Sequence, residues 1–261
     1  MSGEGALVIY GRGGDLGNFK WFADDLLPPE LAGYEPSTVL IREIDRRDTF
    51  FDFLSTTAFD FEVKELHIYS HAIGGALFLG YGDRSLGISR AGIASQKRGQ
   101  MANYLSVLNT EVGAVFTDDL IRTPYTSIRS KIRNIFAKTG ATIKLWGCNS
   151  GVANWVYSDV DAAGNNVVDP DADARYYYWR ALNENNTPKP SIAQALANYC
   201  QVKVFGATSG SSIQARLNGK WVTASPEGKV PGAGGKYRFV SEQDILRLNP
   251  DRGAYRAYDP H

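Results

Sequence analysis

An α/β fold with a mostly parallel central sheet and helices on both faces follows from two observations. Short apolar runs alternate with amphipathic segments through the first seventy residues, and the first of the runs is continuous, as in a strand buried on both faces. Ala6 to Tyr10 (A-L-V-I-Y) is the first such strand, closed by the glycine-rich G-R-G-G-D. Phe19 to Leu27 has helical spacing at Phe19, Phe22, Ala23 and Leu26, and Pro28 and Pro29 stop it. Thr38 to Ile44 is the second strand. Asp48 to Leu54 opens a helix with an acidic cap, and Glu65 to Ser70 is the third strand. Strand, helix, strand, helix, strand describes two crossover units.

Further along, Ala76 to Leu79 reads as a short strand or the start of a lid, and Gly82 to Gln100 as a mobile glycine-rich loop. Met101 to Asn109 and Asp118 to Ala137 read as helices, the second carrying Ile128, Ile132, Ile135 and Phe136 on one face. Thr142 to Trp146 is the fourth strand. Ser191 caps a helix to Tyr199, and Gln201 to Phe205 is the fifth strand. Asn218-Gly219 centres a hairpin over Ile213 to Ala224, and Tyr237 to Val240 is one more short strand. The 261 residues form one domain, with insertions near 82–140 and 152–190 and a hairpin-rich part near 213–261. The second insertion is a polar excursion. Its Asp159, Asp161 and Gly164 have calcium-loop spacing, but Ala163 and Pro170 stand where oxygen ligands are needed. Tyr176 to Trp179 packs at its edge.

Composition excludes several classes. Lysine plus arginine number 28 and aspartate plus glutamate 28, with no long run of either sign, so neither nucleic acid nor an anionic membrane is an expected partner. No apolar run reaches the roughly 18 residues of a membrane span. Two cysteines, Cys148 and Cys200, make no disulfide framework, which points to a reducing compartment. No cleavable leader is evident, so the expected location is cytoplasmic, or outside the cell by export without a signal peptide.

The chemistry sits at two strand ends. E-L-H-I-Y-S-H-A-I-G-G-A-L-F-L-G carries the third strand into His71, and T-I-K-L-W-G-C-N-S-G carries the fourth into Cys148. Open α/β sheets keep their ligands at the carboxyl ends of strands. A thiol becomes a strong nucleophile when a neighbouring imidazole takes its proton, and that imidazole can then protonate a leaving group. His67 shares the parity of His71 but lies inside the strand, and Cys200, between a helix and a strand, reads as core.

These stretches resemble cysteine peptidases of the caspase, legumain, clostripain and gingipain type, clan CD. They are also similar to a caspase-like bacterial domain of unsettled function in which one strand reads L-H-I-x-S-H-G before G-A-L-x-L-G and a later one ends Y-G-C-N. The resemblance covers about residues 6–212 and is specific around His71 and Cys148. It implies a caspase-like three-layer sandwich and a thiol endopeptidase, with His71 as base and acid and Cys148 as nucleophile. It further implies an oxyanion hole from the backbone of Ala72 and Cys148. Ser209, Gly210 and Ser211 would then make main-chain contacts to substrate, and no metal or cofactor is called for. The partner would be a peptide or protein, with self-cleavage at Arg84, Arg90, Lys97, Arg98 or in the acidic run of the second insertion. A bacterial effector and a housekeeping enzyme fit equally.

The families carry glycine after the histidine, where this chain has Ala72. Alanine keeps the N–H and fits if its φ is negative. Two other readings arise from that residue. One is a catalytically silent caspase-like module that binds a peptide or partner. The other is a lipase-like hydrolase, because S-H-A-I-G-G-A-L is similar to the lipase elbow with Ala72 in place of the serine, although only His261 lies far enough downstream.

Overall fold

The computed structural model describes residues 3–13, 19–20, 23, 31, 33–81, 113–153, 155–157, 178–180, 190–208, 211–223, 229–239, 246–250 and 255–261. Its centre is a six-stranded sheet: β1 (Glu4–Tyr10), β2 (Val39–Glu43), β3 (Glu62–Tyr69), β4 (Thr142–Leu145), β5 (Lys203–Ala207) and β6 (Tyr255–Tyr258). The order across the sheet is β6-β5-β4-β3-β1-β2. β1 to β5 are parallel, and β6 closes one edge antiparallel to β5. The fold is therefore mixed α/β on a mostly parallel sheet.

Alternation along the strands divides the core in two. Leu7, Ile9, Leu66, Ile68, Ile143, Leu145 and Val204 face a cluster built with α1 (Arg47–Thr56), α2 (Arg129–Arg133) and α3 (Ile192–Cys200). Ala6, Val8 and Tyr69 face a smaller cluster with Phe19, Ala23 and Leu31. Phe19 and Ala23 are helical, but Ala215 of the strand Ser211–Leu217 and Val230 of Lys229–Pro231 join them. The second face is thus covered jointly by helical and strand residues.

Several expectations are revised. No continuous helix spans Asp118 to Ala137. Short 3-10 turns at Asp119–Ile121 and Tyr125–Ile128 precede α2, with Pro124 between them. Proline lacks the helical N–H and disfavours helix at the residue before it. The apolar stripe still meets the core, through buried Ile132 and Phe136 and half-buried Ile128 and Ile135. Within the stretch expected as the first insertion, Val115, Leu120 and Ile132 all lie in the larger cluster. Asp48 lies in the first turn of α1 and Arg46 at its N-cap. There the carboxylate meets the positive end of the helix dipole without capping it. The C-terminal part supplies more strands than expected, including β6.

The expected loop at 82–100, the helix at 101–109, the calcium-like run, and Arg84, Arg90, Lys97 and Arg98 lie outside the described residues. Of the second insertion, Trp155–Tyr157 pairs antiparallel with Tyr178–Arg180. Asn218 (φ 49) and Gly219 (φ 78) form the turn between Ser211–Leu217 and Lys220–Thr223, the positive angles a tight hairpin requires. No helix among the described residues is long and apolar enough to cross a membrane.

Candidate active site at the carboxyl ends of β3 and β4

β3 and β4 are neighbours, with Glu65 opposite Thr142 and Ile68 opposite Leu145. His71 and Cys148 each come after the Ile68–Leu145 pair by the same number of residues. The parallel ladder continues through Trp146, whose N–H donates to Ile68 O at 2.9 Å. Gly147 then lies hard against the other segment. A Cβ there would stand 2.4 Å from Ala72 Cβ, 2.8 Å from Ser70 O and 3.0 Å from Ala72 N. Only glycine allows this approach, and it sets the segment carrying Cys148 beside the one carrying His71. Both side chains are half-buried.

The order of the chain reverses at β1, so the crevice between β1 and β3 is where a ligand is first sought. Leu79 fills it. Arg12 N donates to Leu79 O at 2.7 Å, and a Cβ on Gly11 would stand 2.5 Å from that same oxygen. The neighbouring gap, between the ends of β3 and β4, is the one bearing His71 and Cys148.

His71 opens a hairpin, His71–Ile73 against Ala76–Phe78, extended by Ala114–Phe116. Its ring meets Phe19 edge-on, 5.1 Å between centroids. Ala72 lies within the strand and is absent from the described residues with positive φ, so alanine fits this backbone without left-handed strain. The Gly74-Gly75 turn makes Ile73 and Ala76 the hydrogen-bonded pair, and bonding alternates along the hairpin. Ala72, opposite Leu77, then has its N–H directed away from the partner strand, on the edge where Gly147 lies. A lipase elbow is a strand-turn-helix, whereas the chain beyond Ser70 forms a hairpin.

The turn after β4 is tied to β5 and to α3. Asn149 adopts a left-handed φ of 58°, uncommon for a non-glycine residue, and is buried. Ser150 Oγ accepts from Ala207 N at 3.0 Å, and Gly151 N donates to Ala207 O at 2.7 Å, which joins the turn to β5. Helix α3 holds both segments at once. Ile192 N donates to Gly74 O at 2.7 Å in the His71 hairpin, and Ala193 N to Ser150 O at 3.1 Å in the Cys148 turn. First-turn amides have no partner inside their own helix, so these carbonyls satisfy donors that would otherwise be orphaned. Ser191 caps the same helix through Gln194 N at 3.1 Å.

His67 has a different office. It is fully buried, Trp146 Nε1 donates to its Nδ1 at 3.1 Å, and its Nε2 meets Glu65 Oε2 at 3.0 Å. With Nδ1 accepting, Nε2 carries the hydrogen, and both ring nitrogens are occupied. Glu65 also binds Lys144 at 3.1 Å. The hydrogen bond from His67, followed by Lys144, pulls its carboxyl down to about 2 against the cost of burial. The Trp146 indole lies stacked with Tyr69 at 5.5 Å and with His67 at 6.1 Å, which steadies the strand end just before Gly147. Cys200 is buried in the larger cluster, and burial pushes its thiol up to about 12, so it is an inert core residue.

Of the other expected site residues, Ser209 and Gly210 lie outside the described residues, and Ser211 begins a strand opposite Pro250. Among the described residues no group of three or more His, Cys, Asp or Glu side chains could hold a metal ion. Ser150, Tyr255, Tyr258 and the first amides of α3 were not anticipated from sequence. The only trace they leave there is the Ser191 cap. No family model, curated protein or solved structure matches this chain.

Proposed function

We propose that this chain is a caspase-like cysteine peptidase, with Cys148 as nucleophile and His71 as the proton carrier, acting on peptide or protein substrates. The observation that carries the reading is the equal overhang of His71 and Cys148 beyond the Ile68–Leu145 pair, with Gly147 packed on Ser70 and Ala72. Neighbouring parallel strands delivering a thiol and an imidazole to one edge is what a Cys-His dyad requires. The half-buried Cys148 and the deeply buried Cys200 differ in the way a reactive and a structural thiol differ.

The reaction has two halves. His71 takes the Cys148 proton, sulfur bonds to the scissile carbonyl carbon, and the carbonyl becomes an oxyanion facing the Ala72 and Cys148 N–H groups. The carbon–nitrogen bond breaks as His71 protonates the departing amine. Water, deprotonated by His71, then attacks the thioester, releasing the acid and restoring the thiol. No step needs a metal or cofactor.

The test is labelling by a thiol-directed acyl-type probe. Labelling lost in Cys148→Ala and His71→Ala but kept in Cys200→Ala supports the dyad and justifies a peptide-library screen. Equal slow labelling in every variant that retains a cysteine sinks it and favours the silent binding module, whose partner would then be sought.

A further inference from the structure

We propose that Tyr255 and Tyr258 of β6 are positioning residues for Cys148, their hydroxyls gripping the backbone carbonyls at the two ends of the turn that carries the thiol. The proposal rests on the reading of Cys148 as nucleophile. The Tyr255 hydroxyl donates to Leu145 O, the last residue of β4, and the Tyr258 hydroxyl donates to Gly151 O at 2.6 Å. Cys148 stands midway between those two carbonyls.

The geometry is not that of an ordinary edge strand. β6 pairs with β5, Tyr255 opposite Ala207 and Tyr258 opposite Val204, so both phenols reach across β5 to act on the end of β4. Side chains three apart on a strand point to opposite faces. Tyr255 accordingly meets Trp146, 5.7 Å between rings, while Tyr258 packs against the helix-side cluster. The turn is held from above and below the sheet.

Gly151 keeps the opening for one of them. A Cβ there would stand 2.3 Å from the Tyr258 hydroxyl, so residue 151 and the phenol share one space. Ser191, the cap of α3, also lies beside the Tyr258 hydroxyl, which brings this grip next to the helix that ties the His71 hairpin to the Cys148 turn. β6 is itself anchored beyond its last residue. Gln194 Nε2 donates to Asp259 O at 2.9 Å, Lys203 pairs with Asp259 at 3.3 Å, and His261 N donates to Asn198 Oδ1 at 3.1 Å. A nucleophile displaced by about 1 Å can lose about 100-fold in rate, so two hydroxyls that locate its turn bear directly on reactivity.

The experiment compares wild type, Tyr255→Phe, Tyr258→Phe and His71→Ala in the full chain. Read out are the labelling rate with the acyl-type probe, the rate with iodoacetamide and the urea midpoint. The expected result is a loss of about 10-fold or more with the acyl probe in each phenylalanine variant, with folding still cooperative. The iodoacetamide rate should fall much less. Gly151→Ala should behave as Tyr258→Phe does, and the two together should lose less than the sum of their separate effects. Wild-type rates in both tyrosine variants beside a His71-dependent wild type overturn this proposal alone. Losses that merely track the urea midpoint, and that the acyl probe and iodoacetamide show equally, do the same. A wild type whose labelling ignores His71→Ala overturns the nucleophile reading and this proposal together.

Discussion

Gly147→Ala tests the closeness of the two strand ends directly. The added methyl would stand 2.4 Å from Ala72 Cβ, where carbon atoms ordinarily rest about 3.5–4.0 Å apart. The end of β4 must therefore recede by more than about 1 Å. It cannot do so by turning side chains, because Ser70 O at 2.8 Å and Ala72 N at 3.0 Å are backbone atoms, and Trp146 N is bonded to Ile68 O just before the glycine. Overpacking of this kind costs about 1–3 kcal/mol, and immobile neighbours argue for the upper part of that range. Urea unfolding measures the loss, with an unchanged slope showing that the transition is still two-state. Gly33→Ala, with nothing within 4 Å of the new methyl, is the control and should lie within about 0.5 kcal/mol of wild type. In an Ala72→Gly background the nearest clash disappears and the two backbone ones remain, so part of the loss should return. Acyl-probe labelling of Cys148 should fall in Gly147→Ala even where the protein is fully folded. A Gly147→Ala protein as stable as the Gly33→Ala control would mean that Gly147 does not touch the 70–72 segment, and the assignment of a shared site would fall with it.

Three further outcomes are expected. Trp146→Phe leaves His67 Nδ1 buried without its donor, so it should lose about 1–3 kcal/mol, and a loss below about 0.5 kcal/mol would show that the indole bond contributes nothing. Acid should weaken the fold through Glu65. Its folded carboxyl is held at about 2, below the ordinary 4.5, by His67 and Lys144, so its contribution is complete above pH 4.5 and is lost as pH falls from there toward 2. For a carboxylate one-quarter exposed, that is about 1–2 kcal/mol after screening by water, and in Glu65→Gln this part of the pH dependence should vanish; an identical acid profile in the variant refutes the assignment. Ser191→Ala should cost about 0.5–2 kcal/mol as a lost cap, and hydrogen exchange at Ile192 and Ala193 should quicken, because α3 would hold Gly74 O and Ser150 O less firmly. Unaltered exchange there would show that the cap does not secure the joint.

Two strands were legible from their patterns: Ala6 to Tyr10 is the unbroken apolar run of a strand buried on both faces, and Thr142 to Trp146 alternates as its burial does. The Ser191 cap and the Asn218-Gly219 turn were legible because one local hydrogen bond or two backbone angles decide them. The stripe Ile128, Ile132, Ile135 and Phe136 showed correctly what is apolar and incorrectly what is helical. Spacing records which residues seek the core, while Pro124 decides where the backbone bends. β6 passed unseen, as four residues, Tyr-Arg-Ala-Tyr, with burial that does not alternate.

Residue order by itself determined that a thiol and an imidazole each follow a strand, and that Cys200 and His67 sit where packing dominates. Two strand ends separated by more than seventy residues become a site only if their strands are neighbours, and no local pattern encodes that. The tertiary structure makes these two neighbours through the β3–β4 register and the missing Cβ of Gly147, and it alone gives the extended backbone of Ala72 and both occupied nitrogens of His67. The same holds for the amides of α3 and the phenols of β6. Their partners are backbone carbonyls, which every residue possesses, so the choice of partner leaves no mark on side-chain identity and exists only once the chain has folded.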